Sequence, residues 1–337
     1  MKKTVNYTES KKILAEVKKA KRILVNCHRG PDPDSIGSTL ALFEVLRKWD
    51  KKVTLVCSSN ELFDKINFLQ NYSKIQKGVD FSNIDYSKYD LFITLDSSSW
   101  GMVTGDNNIP IPKVPMVVID HHKTNPKYGT VNLVDPNVQS VGELMYRVFM
   151  DWGIKLNKHI ATDLLTGIIG DTGAFRYPGS TDETFKAVGE LVANGADTDM
   201  IIHHIYRSEP FQLVKFYGEV LNRLKLDRRG RFVWATVPFE VYKSLGMPSS
   251  AKEASASLFT QVVEGTEFGF IAVEIEKDKL AVSLRSRTGF DTSTIATALG
   301  GGGHVYASGC KIEGMPFEKA VEKLLKVVRK YARKNKK

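Results

Sequence analysis

The sequence predicts an α/β protein built as a parallel-sheet N-terminal domain followed by a smaller α/β C-terminal domain. Three observations carry this. Short β-rich runs alternate with helical patterns through the first 120 residues. Those runs are apolar almost throughout, as strands covered on both faces of a parallel sheet must be. The chain has 337 residues, more than one ordinary core supports.

Four strands are expected first: ILVNC (23–27), VTLVC (53–57), LFITLD (91–96) and MVVID (116–120). Between the first two lies SIGSTLALFEVLRKW, in which Ile36, Leu40, Phe43 and Leu46 recur at helical spacing. That is a βαβ pattern. From Ser140 to about His204 the pattern is helical, with SVGELMYRVFMDW, NKHIATDLLTGIIG and TDETFKAVGELVANG as candidates. Asp171-Thr172-Gly173 reads as the turn after the second. Residues 207–228 read as a charged connecting helix, closed by a turn at DRRG (227–230). RFVWATV, FGFIAVEIE and KLAVSLRS then read as strands, with Asp278 marking a hairpin. AKEASASLFTQVVEG and TSTIATALG read as helices, the glycine run 300–303 follows, and an amphipathic helix starts at about Pro316. The expected domains are 1–206 and 229–337, joined by 207–228.

With 42% hydrophobic and 26% charged residues, the composition is that of a soluble globular protein. No apolar run approaches the roughly 20 residues of a membrane span, so no membrane partner is expected. The basic N-terminus lacks the apolar stretch of a secretory signal. Cys27, Cys57 and Cys310 are odd in number and lack CxxC spacing. They read as buried thiols in a reducing compartment, hence a cytoplasmic location. The net charge of +10 favours anionic partners, nucleotides and nucleic acid first. Eight of the last fifteen residues are Lys or Arg; they read as the solvated face and end of a terminal helix, or as an unspecific attractor of polyanions.

The chemistry gathers at the strand ends. In open α/β sheets the ligand crevice lies beyond the carboxyl ends of the strands. There the first strand runs into His28, Asp32 and Asp34, the third into Asp96, and the fourth into Asp120, His121 and His122. Pro31 and Pro33 stiffen the loop expected to carry Asp32 and Asp34. The four carboxylates of Asp32, Asp34, Asp96 and Asp171 and the two imidazoles of His28 and His121 form a candidate cage. Its four negative charges balance two divalent cations, so a phosphate meets no net negative site. Carboxylates and imidazoles without thiolate suit Mn²⁺, and after it Mg²⁺, better than structural zinc. Two such ions about 3.5–4 Å apart can promote in-line displacement at phosphorus. His159, His203 and His204 read as structural.

In the C-terminal half, the glycines at 300–303 let backbone N–H groups approach a phosphate. His304 adds a donor, Arg285 a bidentate grip, and Ser286 a hydroxyl.

These motifs resemble the DHH phosphoesterase superfamily. NCHRGPDPDSIGS, LFITLDSSS, VVIDHHKTN and GIIGDTGAFRYPGST resemble its four motifs. LRSR with GGGGHVYASG resembles the DHH-associated domain of its oligoribonuclease and 3′-phosphoadenosine 5′-phosphate phosphatase branch. The motifs run in order from about 28 to 310. The resemblance implies a catalytic DHH domain over 1–206 and a substrate-binding DHH-associated domain over 229–337 that closes over the metal site. It implies that His28, Asp32 and Asp96 hold one ion, and that Asp34, Asp96, His121 and Asp171 hold the other. His122 would face the scissile phosphate, with Asp120 orienting it. Arg285, Ser286, Gly302, Gly303 and His304 would hold the nucleotide end away from the cut. The sequence departs from many relatives in having Pro33 between the motif-one aspartates, and SSSWGM where an Arg often follows the motif-two aspartate.

The implied activity is hydrolysis of very short RNA or linear dinucleotides, such as linear di-adenylate, to mononucleotides. Removal of the 3′-phosphate of 3′-phosphoadenosine 5′-phosphate is a further expectation. The alternatives are a cyclic di-adenylate phosphodiesterase, a pyrophosphate or polyphosphate hydrolase, and a nucleotide- or RNA-binding module without catalysis. GGGGH argues against the pyrophosphate or polyphosphate hydrolase, and the complete ligand set against the module. Homodimerisation is compatible with the reading.

Overall fold

The apolar runs become strands because only a sheet interior covers both their faces. The computed structural model describes residues 7–229 and 231–334. Its first unit contains α1 (Thr8–Lys19), β1 (Arg22–Cys27), α2 (Pro33–Lys48), β2 (Lys52–Cys57), β3 (Ile75–Gln76), β4 (Leu91–Leu95), α3 (Trp100–Thr104), β5 (Met116–Asp120), β6 (Val131–Val134), α4 (Val141–Asp151), α5 (Lys158–Asp171), α6 (Asp182–Ala193) and α7 (Thr198–Tyr206). The sheet order is β3-β2-β1-β4-β5-β6, and every pairing is parallel. The order reverses between β1 and β4. At such a switch point the connections leave in opposite directions and open a crevice beyond the strand ends.

One face of this sheet carries the larger core, in which Ile36, Leu40, Leu164 and Ile168 are fully buried. Phe81, Phe92 and Trp100 anchor a smaller core on Leu24 and Val56.

The helix expected to start after the motif-one aspartates begins earlier. Pro33 is its first residue, where a missing N–H costs nothing and a fixed φ is suitable. Asp32 is the N-cap, accepting bonds from the N–H groups of Asp34 and Ser35, both at 3.0 Å. Asp34 therefore stands in the first helical turn and not in a stiff loop. Asp171, expected to open a turn, is the last residue of α5.

The second unit contains α8 (Phe211–Asn222), β7 (Lys225–Asp227), β8 (Phe232–Val237), α9 (Phe239–Ser244), α10 (Ala251–Phe259), β9 (Phe268–Glu276), β10 (Lys279–Ser286), α11 (Ser293–Ala298), β11 (Gly302–Gly303), β12 (Ala307–Glu313) and α12 (Phe317–Lys334). Its sheet order is β11-β12-β10-β9-β8-β7, with β8 and β9 parallel and the other pairs antiparallel. Asp278 turns the β9–β10 hairpin at φ +61°.

The chain divides between Ser208 and Glu209. The helix read as a connector is α8, and it groups with the second unit. Its Leu213, Phe216 and Val220 are buried with Ala235 and Ile271, because an amphipathic helix must cover its apolar stripe. Gly230, in the turn expected at 227–230, lies outside the described residues, as do 1–6 and 335–337 of the expected basic ends. All three cysteines are buried and free. No helix among the described residues is long and apolar enough to cross a membrane.

Two glycines predict opposite effects. Gly37 lets α2 close onto α5, and a Cβ there would overlap the Asp163 carbonyl. Gly189, exposed on α6, has open space around it. Gly189→Ala should stabilise the protein by about 0.5–1 kcal/mol through helix propensity. Gly37→Ala should destabilise it by about 1–3 kcal/mol despite the same propensity gain. Denaturant unfolding of the two variants checks the sign of each change.

Candidate active site

His28 follows β1 directly, and its backbone N–H donates to Ser35 Oγ at 3.0 Å. Its Nδ1 lies 2.9 Å from the Arg29 carbonyl oxygen. That contact turns Nε2 toward the carboxylates, 3.4 Å from Asp96 Oδ2 and 3.7 Å from Asp32 Oδ1.

Asp96 leaves β4 with φ +51°, a left-handed conformation that costs energy for a residue with a Cβ. Its N–H is held by the Ile119 carbonyl at 3.0 Å. The carboxylate is buried, and Oδ1 has no hydrogen-bond partner among the described residues. His121 Nε2 lies 3.6 Å from that oxygen and 3.2 Å from Asp171 Oδ2.

Asp34 is fully buried. Its two oxygens accept from the first N–H groups of α4: Val141 at 2.6 Å and Gly142 at 2.8 Å. A helix N-terminus favours negative charge there. A Cβ at Gly142 would stand 3.1 Å from Asp34 Oδ1, and one at Gly167 would overlap it. These glycines let α4 and α5 close around the carboxylate.

Three groups have ligand atoms close enough to hold a cation: His28, Asp32 and Asp96; Asp34, His121 and Asp171; and Asp96, His121 and His122. The predicted ligands are thus brought together, with Asp96 and His121 each in two groups. The electrostatics fit divalent cations. Burial, and then the charges of Asp96 and Asp32, push the Asp34 carboxyl well above the usual range. Burial, then Asp34, Asp32 and Asp96, do the same to Asp171. Burial also raises Asp96, against the opposing pull of His28. Such carboxylates lack the positive charge that would hold them ionised. The unpartnered Oδ1 of Asp96 is an acceptor that a cation would satisfy.

Asp120, at the end of β5, is fully buried. Its Oδ1 accepts from the His121 N–H and sits 2.8 Å from His122 Nδ1. Its Oδ2 accepts from Asn125 Nδ2 at 2.6 Å, and that same amide donates to the Ser97 carbonyl. The Asp120 hydrogen bond raises the His122 pKa against burial. The His122 side chain is 43% exposed, so its ring is open to a ligand while Nδ1 is tethered. Sequence reasoning assigned Asn125 no role; its only signal was its place in VVIDHHKTN.

The residues expected to grip substrate in the second unit divide. Arg285 is half-buried and held by Ser257 Oγ, Ser283 Oγ and the Leu284 carbonyl. Ser286 is buried, and its Oγ accepts from the Gly289 N–H at 3.0 Å. Its hydroxyl therefore shapes a turn and does not face outward as expected, because β10 alternation points it into the unit. Gly300 and Gly301 donate to α11 carbonyls, so these two N–H groups are already committed. Gly302 and Gly303 form the exposed edge strand β11, where a Cβ on Gly303 would strike Ser308. His304 is exposed beyond it, beside Tyr306, which is 62% exposed. His203 is exposed on α7 and outside the cluster, and the His204 ring packs tilted against Phe68.

A cage of acids and imidazoles at the switch point of a parallel sheet is a centre for divalent metal. The chain matches the DHH family, N-terminal domain, over residues 22–168 and the DHHA1 domain over 252–334. It thus carries a DHH-family N-terminal domain and a DHHA1 domain, and it is a metal-dependent hydrolase of phosphoric esters. It is 29% identical to the bifunctional oligoribonuclease and PAP phosphatase NrnA of Thermus thermophilus, over 96% of this chain and 94% of that one. The protein of the same name from Bacillus subtilis is 28% identical over 86% of this chain and 89% of its own. Among solved structures, an exopolyphosphatase-related protein from Bacteroides fragilis shares the fold with a TM-score of 0.90 at 22% identity, each chain covered over 100%.

The charge imbalance predicts linked stability. Adding Mn²⁺ to chelated protein should raise its unfolding midpoint by several degrees, given about 3 kcal/mol at 100-fold excess over the dissociation constant. Asp96→Asn should be at least as stable as the wild type in chelator, yet gain little from Mn²⁺. A thermal melt with and without the ion reads both.

Proposed function

We propose that the protein releases mononucleotides from very short RNA or linear dinucleotides, linear di-adenylate among them, and removes the 3′-phosphate of 3′-phosphoadenosine 5′-phosphate. The observation that carries this is the pair of ligand groups meeting at Asp96, in a chain similar to oligoribonuclease and PAP phosphatase relatives along nearly its full length. In this reading His28, Asp32 and Asp96 hold one ion. Asp34, Asp96, His121 and Asp171 hold the second, and Mn²⁺ is preferred to Mg²⁺. Two bound ions supply Lewis acidity and a more acidic water.

The chain's own residues do the rest. Asp96 sets the spacing of the two ligand groups, fixed by its backbone bond to Ile119. Asp120 holds His122 by Nδ1 and favours its imidazolium form, whose Nε2–H can donate a hydrogen bond to a phosphate oxygen. Asn125 keeps Asp120 in place. Arg285, Gly302, Gly303 and His304 bind a phosphate of the substrate that is not being cut. Arg285 suits this because Ser257 and Ser283 hold part of its guanidinium in one orientation. A cytoplasmic location is the compartment we expect for such substrates.

The test is product analysis with Mn²⁺ on linear di-adenylate, cyclic di-adenylate, a graded series of short RNAs, 3′-phosphoadenosine 5′-phosphate and pyrophosphate. Mononucleotides should form fastest from dinucleotides, more slowly from pentamers, and very slowly from an RNA of two dozen nucleotides. A rate that is flat or rising with length, or cleavage confined to cyclic di-adenylate or pyrophosphate, would overturn the reading.

Two comparisons check the residues. Asp96→Ala should abolish turnover, whereas His203→Ala should stay near wild type. Arg285→Ala and His304→Ala should raise KM for dinucleotides by about ten-fold or more, the worth of a charge-assisted hydrogen bond. Both should keep their bound metal, which elemental analysis reads.

A further inference from the structure

We propose that a polar cavity beside Arg29, in the first unit, receives a nucleobase of the substrate. The inference rests on the nucleotide reading above and adds a base-binding site to it. The cavity has a volume of about 600 Å³ and opens among segments that follow β2, β3 and α3. That is the strand-end rim where His28 stands. The volume lies in the range of small-ligand sites, roughly 300–1,000 Å³.

The backbone beside it is tightly held. The Arg29 N–H donates to the Met102 carbonyl at 2.7 Å, and the Gly30 N–H to Ser59 Oγ at 2.7 Å. The segment after the ligand His28 is thus fastened to both walls of the cavity. The Arg29 side chain is exposed and makes one hydrogen bond among the described residues, from Nη1 to the Gly105 carbonyl at 3.3 Å. Four of its five N–H donors remain for a ligand.

A second observation points to a ligand. Ser58 Oγ is buried and has no hydrogen-bond partner among the described residues. A Cβ at Gly105 would lie 3.5 Å from that oxygen and 3.7 Å from Arg29 Cδ. An unsatisfied hydroxyl and an underused guanidinium thus flank the same glycine. A buried hydroxyl without a partner costs about 1–3 kcal/mol, which a ligand bond would remove.

The lining selects the chemistry. Arg29, Ser58 and Asn60 offer donors, Asp80 and Asp106 offer carboxylate acceptors, and Ile109 gives an apolar wall. Donors and acceptors over an apolar surface match the edge and face of a nucleobase. A second phosphate would meet two carboxylates there. The two carboxylates are themselves fixed, Asp80 by Ser82 and Asn83, and Asp106 by Asn108.

The experiment compares linear di-adenylate with an abasic dinucleotide of the same backbone, using the full chain with Mn²⁺. In Arg29→Ala, KM for linear di-adenylate should rise about 10- to 100-fold, with a much smaller change for the abasic compound. Ser58→Ala should raise KM for linear di-adenylate several-fold and leave the unfolding midpoint unchanged or higher, because it removes an unsatisfied group. A merely structural serine would not show that pair of effects. Equal losses on both substrates would mean that Arg29 meets the phosphate backbone, and would overturn the base site. Unchanged kinetics in both variants would overturn it as well. If the wild type binds Mn²⁺ but cleaves no dinucleotide, the proposed function fails first and takes this site with it.

Discussion

The carboxylate of Asp34 rests on the N-terminus of α4, and the arrangement of the first unit depends on that contact. A buried carboxylate is costly unless donors meet it. Two backbone N–H groups and the helix dipole meet this one. The same bonds satisfy donors that a helix start leaves without partners. Asp34 thereby joins α2 to α4, while Gly142 and Gly167 clear the space that it fills. The carboxylate therefore belongs to the packing of three helices as much as to the candidate metal centre.

Around it the sheet gathers acids that repel one another. Burial and mutual repulsion raise Asp34, Asp96 and Asp171 together. A protein can keep such a group only if something else benefits from it, and a divalent cation is the counterpart that fits. The left-handed backbone at Asp96 belongs to the same logic. Strain at a functional position persists when the surroundings over-determine it, here through the bond to Ile119. The centre is thus held in shape by the fold before any ion arrives.

The two units answer different demands. The first presents ionisable groups on rigid strand ends. The second presents an exposed glycine strand, with His304 and Tyr306 beyond it, on a sheet whose hydrophobic core is separate. Arg285 stands between these roles, since its guanidinium is partly used in holding its own position. The glycines at 300–303 have structural duties that a phosphate-cradle reading alone would not suggest. Gly300 and Gly301 cap α11, and Gly301 and Gly303 lie close against β12.

Much of this was legible in the sequence, for a physical reason. Strands buried on both faces read as apolar runs, and the residues just beyond them mark the rim of a parallel sheet. His28, Asp96, Asp120 and His121 could be placed together on that ground alone. The tertiary structure decided what local pattern could not. Asp34 became a first-turn helical residue because Pro33 is an ideal helix start and α4 offered its N-terminus. The helix taken for a connector joined the second unit because its apolar stripe needed a core. Ser286 turned inward through strand alternation. Asn125, the glycines around Asp34 and the cavity beside Arg29 acquire meaning only from partners far away in the chain. Sequence determined which side chains could do the chemistry; packing determined which of them meet, and in what state of charge.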